Sequence, residues 1–162
     1  MHRMGTGGSK MLEFSEFATS VKLIKNEINE AKKMDCYSIT DEDWTLLEKI
    51  FKNIKVMKSK TTLVGNSKVM AHLLSNIVPP IDRQYTLNYL KGNTQIINNL
   101  DEEWLLMKEI IQSLFIPIAT DNSFQMKAND WMSKQHQFVW DTSFFKIIDN
   151  LIIGSLVKSL TR

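Results

Sequence analysis

Apolar residues return every three or four positions through most of this chain, and the strict alternation of a half-buried strand is almost absent. That period constrains the fold more than any other feature. It lays a hydrophobic stripe along one side of a helix and requires a neighbour to cover it. Phe14, Phe17, Val21, Ile24, Ile28 and Ala31 predict a first helix over 15–33. Thr40 is placed to cap a second, with Asp41, Glu42 and Asp43 in the first turn, where the helix dipole favours negative charge. Its stripe is Trp44, Leu47, Ile50, Phe51 and Ile54. Gly65-Asn66-Ser67 reads as the start of a third helix, capped by Asn66 or Ser67, with Val69, Met70, Leu73, Leu74 and Ile77 on its apolar face. Pro79-Pro80 ends it, because proline lacks an amide donor and disfavours helical geometry in the residue before it. Asp82 caps a short helix that runs to residues 89–90, and Gly92-Asn93 breaks the chain again.

Asp101, Glu102 and Glu103 open a helix carrying Trp104, Met107, Ile110, Ile111 and Leu114, which Pro117 ends or kinks. A weaker pattern predicts a short helix over 124–136. Asp141-Thr142-Ser143 caps a last helix with Phe144, Ile147, Ile148, Leu151, Ile152 and Leu156 on its apolar side. Gly154 within that helix either permits close packing or weakens it by about 1 kcal/mol. The expected architecture is all-α: a single domain of about six or seven helices over 13–162, preceded over 1–12 by a flexible leader, an alternative start or a non-native remnant.

Composition agrees with a packed domain. The chain has 162 residues, of which 43% are hydrophobic and 23% charged, so a core is expected and wholesale disorder is not. The formal net charge of +2 is too small to imply nucleic acid by itself. Cys36 is the sole cysteine, which excludes an internal disulfide and a cysteine-rich metal site. No second histidine or cysteine stands at metal-ligand spacing from His72, so no metal site is expected. No apolar run reaches the roughly 20 residues that a membrane span needs. The nearest, 144–160, is interrupted by Lys146, Asp149, Asn150 and Lys158 and reads as a buried helix. The N-terminus lacks the apolar centre of a signal peptide. Its Gly-Thr-Gly-Gly-Ser-Lys lacks the residue order of a phosphate-binding loop, and no cofactor is expected. A cytoplasmic protein with no membrane partner follows as the expectation.

The densest grouping of chemically capable residues lies over 63–90, where Lys68, His72, Asp82, Arg83 and Tyr85 flank the double proline. Two prolines stiffen the approach to the next helix. Asp82 at a helix start caps backbone amides in the simplest reading, with Arg83 paired to a carboxylate. As a general base, Asp82 would need a cleft beside it and a carboxylate pKa raised above the usual range. Lys68 and His72 are four residues apart and share a helix face. His72 lies among leucines, as a partly buried, hydrogen-bonded histidine does. Ser67, His72 and Asp82 name a hydrolytic triad by residue type, but no nucleophile elbow accompanies them.

Lys49, Lys52, Lys55, Lys58, Lys60 and Lys68 are the only basic concentration. Their spacing fans them round the helix, as on a solvated face. The alternative is phosphate contact, with backbone amides at Gly65-Asn66-Ser67 holding one phosphate and lysines neutralising its neighbours. Trp44 and Trp104 fall in apolar stripes and belong to the core. Trp131 and Trp140 lie in less periodic sequence and are candidates to line a pocket or a partner surface.

The run Ser67-Lys-Val-Met-Ala-His-Leu-Leu-Ser-Asn-Ile-Val-Pro-Pro-Ile-Asp-Arg-Gln-Tyr-Thr86 resembles a signature of small, mostly helical bacterial and archaeal proteins of unknown function. It departs from that pattern at Ser75-Asn76, where a proline stands nearby in the family. The resemblance implies a helical fold and no named activity. Leu63-Val-Gly65, followed by Asp82, is more remotely similar to the helix-hairpin-helix DNA glycosylases, whose hairpin glycines precede a helix and whose catalytic aspartate opens the next. Here the first hairpin glycine is absent and the step from Lys68 to Asp82 is short. Two functional expectations result. The first is a non-catalytic binding or interaction module that takes an unnamed protein or ligand through Gly65, Asn66, Lys68, His72, Asp82, Arg83 and Tyr85. The alternative is a nucleic-acid-binding protein that contacts backbone through Gly65, Asn66 and Lys68, with Asp82 as its candidate catalytic group.

Overall fold

The computed structural model describes residues 3–4, 9–134 and 136–160, and the fold is all-α. Its helices are α1 (Phe14–Leu23), α2 (Lys25–Ala31), α3 (Asp41–Asn53), α4 (Leu63–Leu73), α5 (Asn88–Lys91), α6 (Leu100–Ile110), α7 (Ile116–Ala119), α8 (Asn122–Ser133) and α9 (Phe144–Leu160). Two wide π-helical turns, Arg83–Leu87 and Ile111–Phe115, run directly into α5 and α7. Joined where one helix continues another, the described residues form seven helical bodies, at the upper end of the six or seven expected. Of the leader expected over 1–12, residues 1–2 and 5–8 lie outside the described residues. Arg3–Met4 pairs antiparallel with Ser9–Lys10. The chain then runs along residues 56–58: the Leu12 amide donates to the Val56 carbonyl at 2.9 Å, and the Lys58 amide to the Lys10 carbonyl at 2.9 Å.

The predicted stripes meet in one core, except at Phe14 and Leu151, which the structure leaves exposed at the start of α1 and on the outer side of α9. Leu47, Ile50 and Phe51 of α3 pack with Leu63 and Met70 of α4 and with Met107 and Ile110 of α6, and Phe115, Phe145 and Ile148 extend the cluster. Trp44 and Trp104 are buried, as expected, and their rings lie 6.4 Å apart. Phe51 meets Trp104 at 5.7 Å. Thr40 caps α3 through a reciprocal box with Asp43, its hydroxyl accepting from the Asp43 amide at 3.2 Å and its own amide donating to the Asp43 carboxylate at 2.8 Å. Pro117 does not end its helix. The π turn just before it widens the coil and accommodates a residue that cannot donate back along the helix. Gly92, at φ 65°, closes α5 in the left-handed region that glycine enters freely. Gly154 is exposed, and a side chain added there would meet nothing within 4 Å, so it serves no close packing.

The start of α4 corrects the sequence reading. The helix begins at Leu63, so Asn66 and Ser67 lie inside it and cap nothing at its own N-terminus. The capping group comes from α6. One carboxylate oxygen of Glu103 accepts from the Thr62 amide (2.7 Å), the Leu63 amide (2.5 Å) and the Thr62 hydroxyl (2.9 Å). Asn66, 1% exposed, turns to α3 and donates its side-chain amide to the carbonyls of Phe51 (2.8 Å) and Ile54 (3.1 Å). Two helices of this trio, α3 and α4, therefore each have an end satisfied by a side chain of another, while Asn99 caps α6 locally.

Candidate functional site

A groove of about 580 Å³ opens between α4, the Pro79-Pro80 corner and α9. Five of the sequence candidates line it: Lys68 and His72 on α4, Asp82 beyond the corner, Tyr85 in the π turn, and Trp140 just before α9. The four-residue spacing puts Lys68 and His72 on one helix face, and the stiff corner brings Asp82 back beside them. Lys68 Nζ meets Asp82 Oδ2 at 3.0 Å. The other Asp82 oxygen accepts from the Gln84 amide at 2.8 Å, so Asp82 is both the expected cap and a wall of the groove. The corner itself is clipped to α4 by Ser67, whose hydroxyl accepts from the Ile81 amide at 3.1 Å. Ser67 is fully buried and is not a surface nucleophile.

His72 was expected to be partly buried and hydrogen-bonded, and the structure corrects this. Met70 points into the core, and two residues further is about 200° round the helix, which turns His72 outward to the groove rim. Among the described residues Arg83 pairs with no carboxylate, and it does not line the groove. Its Nε donates to the Thr94 carbonyl at 2.8 Å, tying the start of the π turn to the loop that follows α5. Gly65 and Asn66 are buried away from any external ligand. A Cβ at Gly65 would lie 3.0 Å from Met57 Cγ and 3.3 Å from the Val56 side chain. The amides at the start of α4, which would face a phosphate in a helix-hairpin-helix arrangement, are already held by Glu103.

The opposite wall comes from α9 and the segment before it. Trp140, Thr142, Lys146 and Asp149 all reach the groove. In sequence Asp149 reads only as a charge that interrupts an apolar run. Its position in the stripe, four after Phe145 and three before Ile152, buries it to 3% exposure. Lys146 Nζ reaches its Oδ2 at 2.7 Å. Burial pushes the Asp149 carboxyl above the usual carboxylate range. The Lys146 hydrogen bond and charge pull it back, nearby Asp82 pushes it up further, and Lys68 lowers it. The raised carboxylate that a general base at Asp82 called for thus stands on α9 instead. A charged residue at a core position of an apolar helix was the available signal.

Two ion pairs, Lys68 with Asp82 and Lys146 with Asp149, therefore share one cleft. Among the described residues the second Asp149 oxygen takes no hydrogen bond, and each lysine has ammonium donors to spare. Trp140 stands 76% exposed at the rim, whereas Trp131 is half-buried against Phe138 with ring centroids 6.1 Å apart. Among the described residues no group of three His, Cys, Asp or Glu side chains gathers to hold a metal. The basic concentration is largely neutralised: Lys49 pairs with Glu27, Lys52 bridges Glu48 and Asp101, and Lys58 lies 3.8 Å from Glu13. A second groove of about 650 Å³, beside Leu12, Phe14, Phe17 and Val69, is apolar apart from Glu13 and Lys58. Among the described residues no helix is long and apolar enough to cross a membrane. No family model, curated protein or solved structure is detectably similar to this chain.

Proposed function

We propose that this protein is a binding module whose ligand occupies the groove between α4, the proline corner and α9. The observation that carries the reading is the convergence of Lys68, Asp82, Lys146 and Asp149 on one cleft of about 580 Å³. That volume lies within the range of small-ligand sites, roughly 300–1,000 Å³, and the lining has the expected make-up of apolar walls with a few placed polar groups. Burying Asp149 costs stability, and a buried ionisable group with a specific charge partner in a cleft marks a candidate site for binding or chemistry. Contact with a nucleic-acid backbone through Gly65 and Asn66 draws no support from this geometry, since both side-chain positions face the interior.

Amide and indole NMR spectra recorded during a screen of small polar fragments test the reading. Shifts should cluster at His72, Asp82, Tyr85 and the Trp140 indole. Hits that map elsewhere, for instance around Phe14 and Phe17, or a library that moves none of these signals, would overturn it.

A further inference from the structure

We propose that the groove takes a neutral, polyhydroxylated ligand, a carbohydrate, stacked on Trp140 and hydrogen-bonded by the Lys68–Asp82 and Lys146–Asp149 pairs; this rests on the groove being the binding site. Charge is the first argument. The two lysines and two aspartates cancel in formal charge, and each is matched within the groove, at 3.0 Å and 2.7 Å. An anionic ligand has to compete with an aspartate for its lysine, and a cationic one with a lysine for its aspartate. A neutral polar ligand adds hydrogen bonds and leaves both pairs intact.

Hydrogen-bond complementarity is the second argument. The spare capacity of the groove is mixed. Ammonium N–H groups remain on Lys68 and Lys146, and the second Asp149 oxygen is an unused acceptor among the described residues. Adjacent hydroxyls on a sugar ring match this pattern, because one accepts from an ammonium while its neighbour donates to a carboxylate. The third argument is the indole. Trp140 exposes 76% of its surface at the groove rim, with the half-buried Tyr85 on the same cleft. A flat apolar face beside paired polar groups suits a ring with one C–H face and a hydroxylated edge. The two lysines nearby disfavour a cation stacked in its place.

The test is titration of the intact protein with a panel of neutral mono- and disaccharides, read by tryptophan fluorescence and calorimetry, with inorganic phosphate and acetate as charged probes. The expected result is saturable binding of at least one sugar, changed by less than about twofold between roughly 0.05 and 0.5 M salt. Trp140→Ala should weaken that binding about tenfold, the scale of one lost aromatic contact, while Trp131→Phe leaves it intact. Asp149→Asn should weaken it several-fold with the circular dichroism spectrum unchanged. Sugar binding that survives Trp140→Ala overturns the proposal. So does binding of phosphate or acetate, but not sugars, at the same indole with steep salt dependence; that result would retain the groove as a site and replace the ligand class. If every probe leaves the Trp140 and Tyr85 signals unmoved and the fragment screen maps elsewhere, both readings fall together.

Discussion

Replacing Glu103 by alanine removes the acceptor that holds the first turn of α4. Three donors lose their partner: the amides of Thr62 and Leu63 and the Thr62 hydroxyl. Leu63 is fully buried, so water cannot reach its amide, and an orphaned buried donor costs about 1–3 kcal/mol. Thr62 is only half-buried and recovers part of its loss from solvent. The favourable interaction of a carboxylate with the helix N-terminus, about 0.3–1 kcal/mol, also goes. Against this stands relief from burying a carboxylate whose second oxygen has no partner. We expect a net loss of about 3 kcal/mol for Glu103→Ala, and about 1 kcal/mol for Glu103→Gln, which keeps an acceptor oxygen but loses the charge. In a domain of typical stability, about 5–15 kcal/mol, the alanine variant should melt some 6–12 °C lower. Urea denaturation measures the free energy, and hydrogen exchange at the Thr62 and Leu63 amides locates it. A loss under about 1 kcal/mol in the alanine variant, with those amides still protected, would refute the capping argument.

Asp149→Asn tests the energetic cost of the groove. Because burial raises the carboxyl, the folded protein holds that proton to higher pH than the unfolded chain does. Its contribution to stability is therefore full below the ordinary carboxylate range and is lost as pH rises through the raised value. The asparagine variant should melt higher than wild type at neutral pH and show a smaller decline from acid to neutral; a lower neutral melting temperature would contradict this. Gly154→Ala should stabilise by about 0.5–1 kcal/mol, since the helix gains a better former and the new methyl meets nothing within 4 Å. Urea unfolding showing no gain or a loss would mean that the α9 surface is covered by something.

Local patterns carried most of the fold. The stripes of α3, α6 and α9, the Thr40 box and the caps at Asp82 and Ser143 are all short-range features, each written within four residues of the group it satisfies. The start of α4 was misread because its cap sits about forty positions downstream on another helix, and asparagine and serine near a glycine imitate a local cap. The groove was half legible. The proline corner pointed to Lys68, His72, Asp82 and Tyr85, all of which line it. Its α9 wall was hidden, because setting α9 against the π turn Arg83–Leu87 depends on tertiary packing that no local pattern encodes. Gly65, Asn66 and Arg83 share the same dense segment, yet their side chains or backbones serve neighbouring helices and loops.

The Ser67 clip has a bearing on how the groove recognises what enters it. One hydroxyl engages both main-chain groups of Ile81, accepting from the amide at 3.1 Å and lying 3.4 Å from the carbonyl, so the bend past two prolines is anchored where it meets the helix. A floor held this way does not need to fold around its guest. Little ordering entropy is left to be lost on association, selectivity comes from the fit of a preset shape, and the free and occupied backbones should superimpose closely.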